Sequence, residues 1–323
     1  MSVRLLFVGS GDFAVPILNK ILSNTNFNIV GVVTQPDKLG GRGGKSILYT
    51  PVKQFLINNL LLSHIPLFQP FRIKDSYKEI LSATIPDLII VASYGQILPE
   101  DFIYYPKLKS LNFHASLLPK LRGATPIQMA IYHGFTETGV TLQLVDKKMD
   151  AGDIIAQRKV SIEKNDNFIT LSRKLSFLAS NMIDEELVKY INNQVVPIKQ
   201  IDEDATYCYK SDVSREKSQI FFDTDIFLAE RMIRAFYLDP GAWILYENKS
   251  IKIMQAEIFQ IFDHNPMTFN SITLLKDIDH LLLYLSNGIL KIIEMQVEGK
   301  TIRKSKDYFY LTSIRYSDVF KVT

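Results

Sequence analysis

Leu5-Leu6-Phe7-Val8-Gly9-Ser10-Gly11-Asp12-Phe13-Ala14 runs from an apolar stretch into a glycine turn, and a helical pattern follows over residues 14–22. Four apolar side chains in a row, stopped by Gly9 and Ser10, describe a strand buried on both faces. The signature returns at Ile29–Val33 and most strongly at Asp87–Ala92, bounded by Pro86 and by Tyr94-Gly95. Leu111–His114 reads as a shorter strand. Between them Thr50-Pro51 opens a helix well, with a capping hydroxyl and then a proline whose missing N–H costs nothing there. Strand, crossover helix and strand repeated in this way imply an α/β fold, a doubly wound, mostly parallel sheet. Ligands of such sheets sit beyond the carboxyl ends of the strands, so function is sought just after each strand.

Residues 170–193 read as one long amphipathic helix, with Leu171, Leu175, Leu178, Ile183, Leu187 and Ile191 on one face. The polar stretch 200–206 follows, holds Asp202, Glu203 and Asp204, and has the composition of a linker. Then the texture changes. After one helix near Asp225–Phe236 come short apolar runs at Ala242–Tyr246, Ile251–Ile258, Ile272–Leu275, Leu281–Leu285, Ile289–Val297 and Phe309–Ile314. Many short strands separated by turns suggest a small antiparallel barrel or sandwich. The expected division is a first domain over 1–199, a linker over 200–206 and a second domain over 207–323.

Composition narrows the function classes. The 323 residues are 47% hydrophobic and 22% charged, which is ample apolar surface for a folded state. A single cysteine, Cys208, excludes a disulfide framework and any multi-cysteine metal centre. His64, His114, His133, His264 and His280 have no ligand-like spacing, so no metal is expected. A formal charge of +3 is too small to coat the chain onto nucleic acid as a whole. The apolar run at 5–8 is too short for a signal peptide, and no stretch approaches the roughly 20 apolar residues of a membrane span. A cytoplasmic, monomeric chain without a membrane partner is the expectation.

Four segments carry candidate chemistry, three of them just after strands. Gly9–Ala14 fits a G-x-G-x-x-A pattern: it either seats a pyrophosphate on a helix N-terminus or simply turns strand into helix. The acid that a dinucleotide site wants after the second strand is not cleanly there, since Val33 is followed by Thr34-Gln35-Pro36. Asp37–Lys45 packs four glycines and the cations Lys38, Arg42 and Lys45 into nine residues. That is a phosphate-seeking loop or a solvated one. In Leu111–Gly123, Asn112 and His114 lie two apart on a strand and so share a face. An amide donor beside an imidazole suits a carbonyl oxygen that becomes an oxyanion, or describes a hydrogen-bonded histidine at a strand end. Met149-Asp150-Ala151-Gly152-Asp153 is a turn whose carboxylate could orient His114.

In order along the chain, Asn112-Phe113-His114-Ala115-Ser116-Leu117-Leu118-Pro119, Arg122–Gln128, Glu137–Thr141 and Met149–Asp153 resemble the 10-formyltetrahydrofolate-dependent formyltransferase family. Gln35-Pro36-Asp37 with the Arg42 loop, and Pro51-Val52-Lys53, are similar to its branch that acts on methionyl-tRNA. Tyr94-Gly95, Ile97-Leu98-Pro99, Arg234-Ala235-Phe236 and Gln296–Lys300 fit the same family, so the likeness covers nearly the whole chain. Gly9-Ser10-Gly11 stands where the family usually has Gly-Thr-Pro, and the residues after Lys306 match no usable pattern.

The resemblance implies a Rossmann-like catalytic domain and an oligonucleotide-binding-type (OB-like) barrel that takes tRNA. The Gly9–Ala14 turn becomes a relic of the fold rather than a dinucleotide site. The implied reaction is formyl transfer from 10-formyltetrahydrofolate, as co-substrate, to the α-amino group of methionyl initiator tRNA, serving translation initiation. Asn112, His114 and Asp150 are its implied catalytic residues. Tyr94, Gly95, Ile97, Leu98 and Pro99, with Ser116, Leu117, Leu118 and Pro119, are the implied folate walls. Lys38, Arg42 and Lys45 would meet the tRNA. So would Lys300, Arg303, Lys304 and Lys306, because the fifteen basic and fifteen acidic residues from Thr206 onward cancel and leave binding to a local face. An amino-sugar nucleotide formyltransferase would share the trio yet normally lacks this loop and barrel. A nicotinamide-dependent oxidoreductase, or a tRNA-binding module without catalysis, fits poorly with an intact Asn112/His114/Asp150 set.

Overall fold

The computed structural model describes residues 2–40, 46–59, 64–264 and 269–320. Its chain separates into two compact units, one of Met1–Pro126, Glu137–Ser161 and Ser172–Cys208, the other of Ile127–Thr136, Ile162–Leu171 and Tyr209–Thr323.

The first unit contains β1 (Val3–Gly9), α1 (Ala14–Leu22), β2 (Phe27–Val33), β3 (Lys38–Gly40), β4 (Ser46–Leu48), α2 (Pro51–Asn58), β5 (Leu67–Phe68), α3 (Ile73–Thr84), β6 (Leu88–Ala92), α4 (Glu100–Ile103), β7 (Ser110–His114) and β8 (Arg122–Gly123). After α5 (Pro126–Tyr132), which belongs to the second unit from Ile127 on, come β9 (Glu137–Leu144), β10 (Ile154–Ser161), α6 (Phe168–Asn181, in this unit from Ser172 on), α7 (Val188–Ile191) and β11 (Tyr207–Cys208). The main sheet runs in the order β10-β9-β7-β6-β1-β2-β5. Its pairs from β5 to β7 are parallel, and β9 and β10 extend it antiparallel. Leu5 to Val8 and Leu88 to Ala92 are buried in its centre, which is why both segments lack alternation. Each buried Leu, Ile, Val or Phe there contributes about 1.5–3 kcal/mol by leaving water.

Chain order reverses between β1 and β6, and there the glycine turn closes on the sheet. Ser10 and Gly11 donate their amides to Ser93 O, and a methyl group at Gly9 would lie 2.8 Å from Ala92 O. The turn is thus packed backbone to backbone. Thr50 caps α2 as its sequence indicates, accepting from Lys53 N at 3.2 Å.

The long helix expected over 170–193 is interrupted. Residues Ile183–Leu187 form a wide turn, with Leu187 N donating to Met182 O. Met182, Ile183 and Leu187 are all buried along this widened turn. Asp184 instead pairs with Lys20, and Glu185 and Glu186 both hold Arg158.

The second unit contains α8 (Ile226–Ala235), β12 (Trp243–Tyr246), β13 (Lys249–Ile261), β14 (Thr273–Lys276), β15 (Leu281–Leu285), β16 (Gly288–Val297), β17 (Arg303–Lys304) and α9 (Tyr316–Val319). The antiparallel order β12-β13-β16-β15-β14, with β17 on β16, forms one curled sheet, consistent with a small barrel. Register shifts along β13 supply the bend. Tyr284 is fully buried among Phe222, Phe262, Phe269 and Phe320. The strand read at Phe309–Ile314 is absent, because residues Ser305–Leu311 coil as a 3₁₀ segment. Ser305 Oγ donates to Ile292 O and accepts from Leu281 N, and Tyr308 Oη donates to Thr301 O. At the end of the run, Ile314 O accepts from Lys276 N on β14.

Asp225 caps α8, its Oδ1 accepting from Phe227 N and Leu228 N at 3.0 Å while Oδ2 accepts from Asn287. Asp225→Ala is expected to cost about 1–2 kcal/mol. Chemical denaturation reads this, and an unchanged midpoint would contradict the cap's role. In the same unit Arg234 donates to Asp166 O, and Phe236 packs on Tyr132 at 5.7 Å between ring centres.

Candidate active site

At the carboxyl end of β7, side chains from distant parts of the first unit meet on Asp150. Asn112 and His114 do share a face of the strand, as their spacing requires. Asn112 Nδ2 donates to Asp150 Oδ1 at 3.3 Å, and His114 Nδ1 lies 3.6 Å from that oxygen. Gln143 Nε2, from β9, donates to the same Oδ1 at 3.1 Å, and the amide of Gly123 donates to Oδ2 at 2.9 Å. The carboxylate thus collects donors from β7, β8 and β9.

The imidazole orientation follows from its other nitrogen. His114 Nε2 is 2.9 Å from Leu121 O, and a carbonyl oxygen only accepts. Nε2 therefore carries a hydrogen, which leaves Nδ1 facing Asp150 free to take or give a proton. The ring is 6% exposed, so the surrounding protein fixes this geometry.

Three backbone conformations shape the cradle. Asp150 itself has φ +50°, tolerated by aspartate better than by most residues. Gly152 is pressed so close to Leu144 O that a Cβ would sit 1.9 Å from it. Gly123 has φ +121°, and its Cβ would lie 2.1 Å from Cys208 O. Both positions require glycine.

The segment read as a linker supplies part of this floor. Arg122 N donates to Thr206 O, Ala124 N to Cys208 O and Leu121 N to Thr206 Oγ1, so β11 lies alongside β8. Gln200 is buried, its amide donating to Asp150 O at 2.9 Å and Gly152 O at 2.7 Å. The Arg122 guanidinium, only 1% exposed, donates to Gln200 Oε1 and Asp202 Oδ1. The bond from Arg122 holds the Asp202 carboxyl below the usual carboxylate range. Gln143 and Gln200 escaped sequence reading. Gln143 stands two residues after Thr141 on the same strand face, but Gln200 lies in a polar run with no periodicity to mark it.

The expected folate walls fall in two loops. Tyr94 is buried in the core beside Phe102 and Val91, and burial pushes its phenol up to about 12. Gly95 has φ +83°, Leu98 packs on the same core, Pro99 precedes α4 and Ile97 is exposed. Gln35 Nε2 donates to Tyr94 O, tying this loop to the end of β2. In the other loop, Ser116 Oγ donates to Lys120 O, and Ser116 O accepts from Thr141 Oγ1. Leu117 and Pro119 are half-buried there and Leu118 is buried.

Among the expected tRNA contacts, Lys38 is exposed on β3 opposite Leu48. Arg42 and Lys45 lie outside the described residues. Lys300, Arg303, Lys304 and Lys306 are exposed around β17. Near the first loop, hydrogen bonds from Gln69 and Lys53 hold the Asp37 carboxyl below its ordinary range. Among the described residues no helix is long and apolar enough to cross a membrane, and no group of three or more His, Cys, Asp or Glu could hold a metal ion.

Comparison with known proteins matches residues 1–187 to the formyl transferase family and residues 212–311 to the formyl transferase C-terminal domain. The chain is 34% identical over 321 residues to methionyl-tRNA formyltransferase of Caldanaerobacter subterraneus subsp. tengcongensis, covering 99% of this chain and 100% of the relative. It is 37% identical over 309 residues to the enzyme of that name from Ehrlichia ruminantium (strain Welgevonden), covering 95% and 96%. Among solved structures, HypX from Aquifex aeolicus in complex with tetrahydrofolic acid superposes with TM-score 0.66 at 17% identity, over 98% of this chain and 48% of that one. An N-formyltransferase from Helicobacter canadensis, in complex with folinic acid and dTDP-3-aminofucose, gives 0.64 at 22% identity, over 90% and 98%. At those identities the likeness establishes the shared fold.

Proposed function

The chain belongs to the formyl transferase family, and we propose from that premise that it transfers the formyl group of 10-formyltetrahydrofolate to the α-amino group of methionyl initiator tRNA. One observation carries the assignment of the site: Asn112, His114 and Asp150 converge at the carboxyl end of β7.

The methionyl amine attacks the formyl carbon, and the carbonyl oxygen gains negative charge. Asn112 keeps a second amide hydrogen beyond the one given to Asp150, and that hydrogen meets the oxyanion. His114, held through Nε2 by Leu121 O, meets it with a protonated Nδ1. Asp150 receives the proton that the attacking nitrogen must lose. The carbon–nitrogen bond to the folate then breaks, and the leaving N10 takes up a proton. One proton leaves the amine and one arrives on the folate, so the transfer balances without a further reactant.

The loops 94–99 and 116–119 are the proposed folate walls, with Lys38, Arg42 and Lys45 and the Lys300–Lys306 cluster as the proposed tRNA contacts. We place the activity in the cytoplasm, where a monomer would act. The domain division at 1–199 and 207–323 stands as part of the same proposal.

The test is formyl transfer to charged initiator tRNA by wild type beside His114→Ala. Removing one such donor is expected to lower the rate by about 10²–10³-fold. Wild-type activity on an amino-sugar nucleotide but not on tRNA would overturn the substrate, and an unimpaired variant would overturn the site.

A further inference from the structure

Gln200 has an amide whose orientation is dictated from both sides. Its Oε1 accepts from Arg122 Nε at 3.0 Å and Nη2 at 2.9 Å, and a guanidinium only donates. Its Nε2 faces three oxygens: Asp150 O at 2.9 Å, Gly152 O at 2.7 Å and Gln143 Oε1 at 3.2 Å. Gln143 in turn aims its own Nε2 at Asp150 Oδ1. The hydrogen bonds therefore all point one way, from the buried Arg122 cation through Gln200 and Gln143 to the Asp150 carboxylate. Bonds aligned in this sense polarise one another. Gln200 also pins the carbonyls on either side of Ala151, at the turn where Asp150 holds its left-handed backbone.

We propose that Gln200 is a positioning residue, which sets the turn and the Gln143 amide that together aim the Asp150 carboxylate. The inference rests on the catalytic reading of Asp150. Gln200 would bear on turnover rather than on substrate affinity, since its amide is spent on Arg122, the turn and Gln143.

Gln200→Glu separates this role from simple packing. The new carboxylate still accepts from Arg122, so the buried cation keeps its partner, but an oxygen now faces Asp150 O and Gly152 O where a donor stood. In the full-length chain, kcat is expected to fall about 10–100-fold, as small misplacements in a catalytic set do, with KM for the formyl donor and for tRNA unchanged. Gln143→Met, a gentler change, breaks the next link and should lower kcat in the same way. In an Asp150→Asn background either change should cost little more, because residues acting through one group are not additive.

Wild-type kcat in both single variants would overturn the proposal. So would equal losses with and without Asp150→Asn, since those would mark a general packing role. If Asp150→Asn alone kept full turnover, the catalytic reading itself would fall. Loss at Asp150 with no effect at Gln200 or Gln143 would remove only Gln200 from the account.

Discussion

Asp150→Asn is expected to reduce the rate of formyl transfer by about 10³-fold, within the 10²–10⁴-fold usual for a proton-transfer group. Two causes act together. The variant lacks the carboxylate that takes the amine's proton. It also turns one acceptor oxygen into an NH₂ group, where Asn112, Gln143 and the Gly123 amide all donate to that carboxylate. Placed toward Oδ2, the NH₂ meets the Gly123 amide; placed toward Oδ1, it meets Asn112 and Gln143. A buried donor left without an acceptor costs about 1–3 kcal/mol, so stability should fall as well. Single-turnover formylation of charged initiator tRNA separates chemistry from product release. A variant retaining more than about a tenth of the wild-type rate, far above the usual effect, would remove Asp150 from the reaction.

Gly123→Ala should be nearly as damaging without touching a reactive group. Its φ of +121° belongs to a region that other residues scarcely visit, and a Cβ would sit 2.1 Å from Cys208 O. A backbone oxygen cannot swing aside as a side chain could. The β8–β11 pairing must open, and with it goes the amide that holds Asp150 Oδ2 at 2.9 Å. A loss of about 2–4 kcal/mol in unfolding free energy is expected, as for other mutations with a named steric cause. At temperatures where the variant remains folded, kcat should drop by about 10²-fold from the displaced carboxylate. Denaturation and turnover both at wild-type values would show that the chain reroutes there at little cost.

How much of this was readable beforehand depends on the range over which each feature is encoded. The unbroken apolar runs at Leu5–Val8 and Leu88–Ala92 announce central strands, because burial on both faces leaves no room for a polar residue. The Asn112/His114 pairing follows from the two-residue period of a strand, whatever lies around it. Thr50-Pro51 and Asp225 mark helix starts by satisfying amides only two or three residues away. Asp150 is different. It stands thirty-eight positions after Asn112, and the residues alone offered its turn only as one possible partner of His114 until the family resemblance and then the structure joined them.

Local chemistry also misled where a long-range contact prevailed. The apolar texture of Phe309–Ile314 suggested a strand, but Ser305 and Tyr308 bond to Ile292 and Thr301 and coil the chain instead. Residues 170–193 suggested one helix, yet Asp184, Glu185 and Glu186 meet Lys20 and Arg158 across a widened turn.

The sequence by itself determined the four parallel strands at the centre of the sheet, β1, β2, β6 and β7, and the face that carries Asn112 and His114, because those depend on patterns a few residues long. Only the tertiary structure decided that Gly123, Gln143 and Gln200 surround Asp150 and that Arg122 stands behind them. Polar side chains in turns and connecting segments carry no periodicity. Their partners are set by how strands and loops pack, and a buried amide declares its role only once the groups it must satisfy are in place.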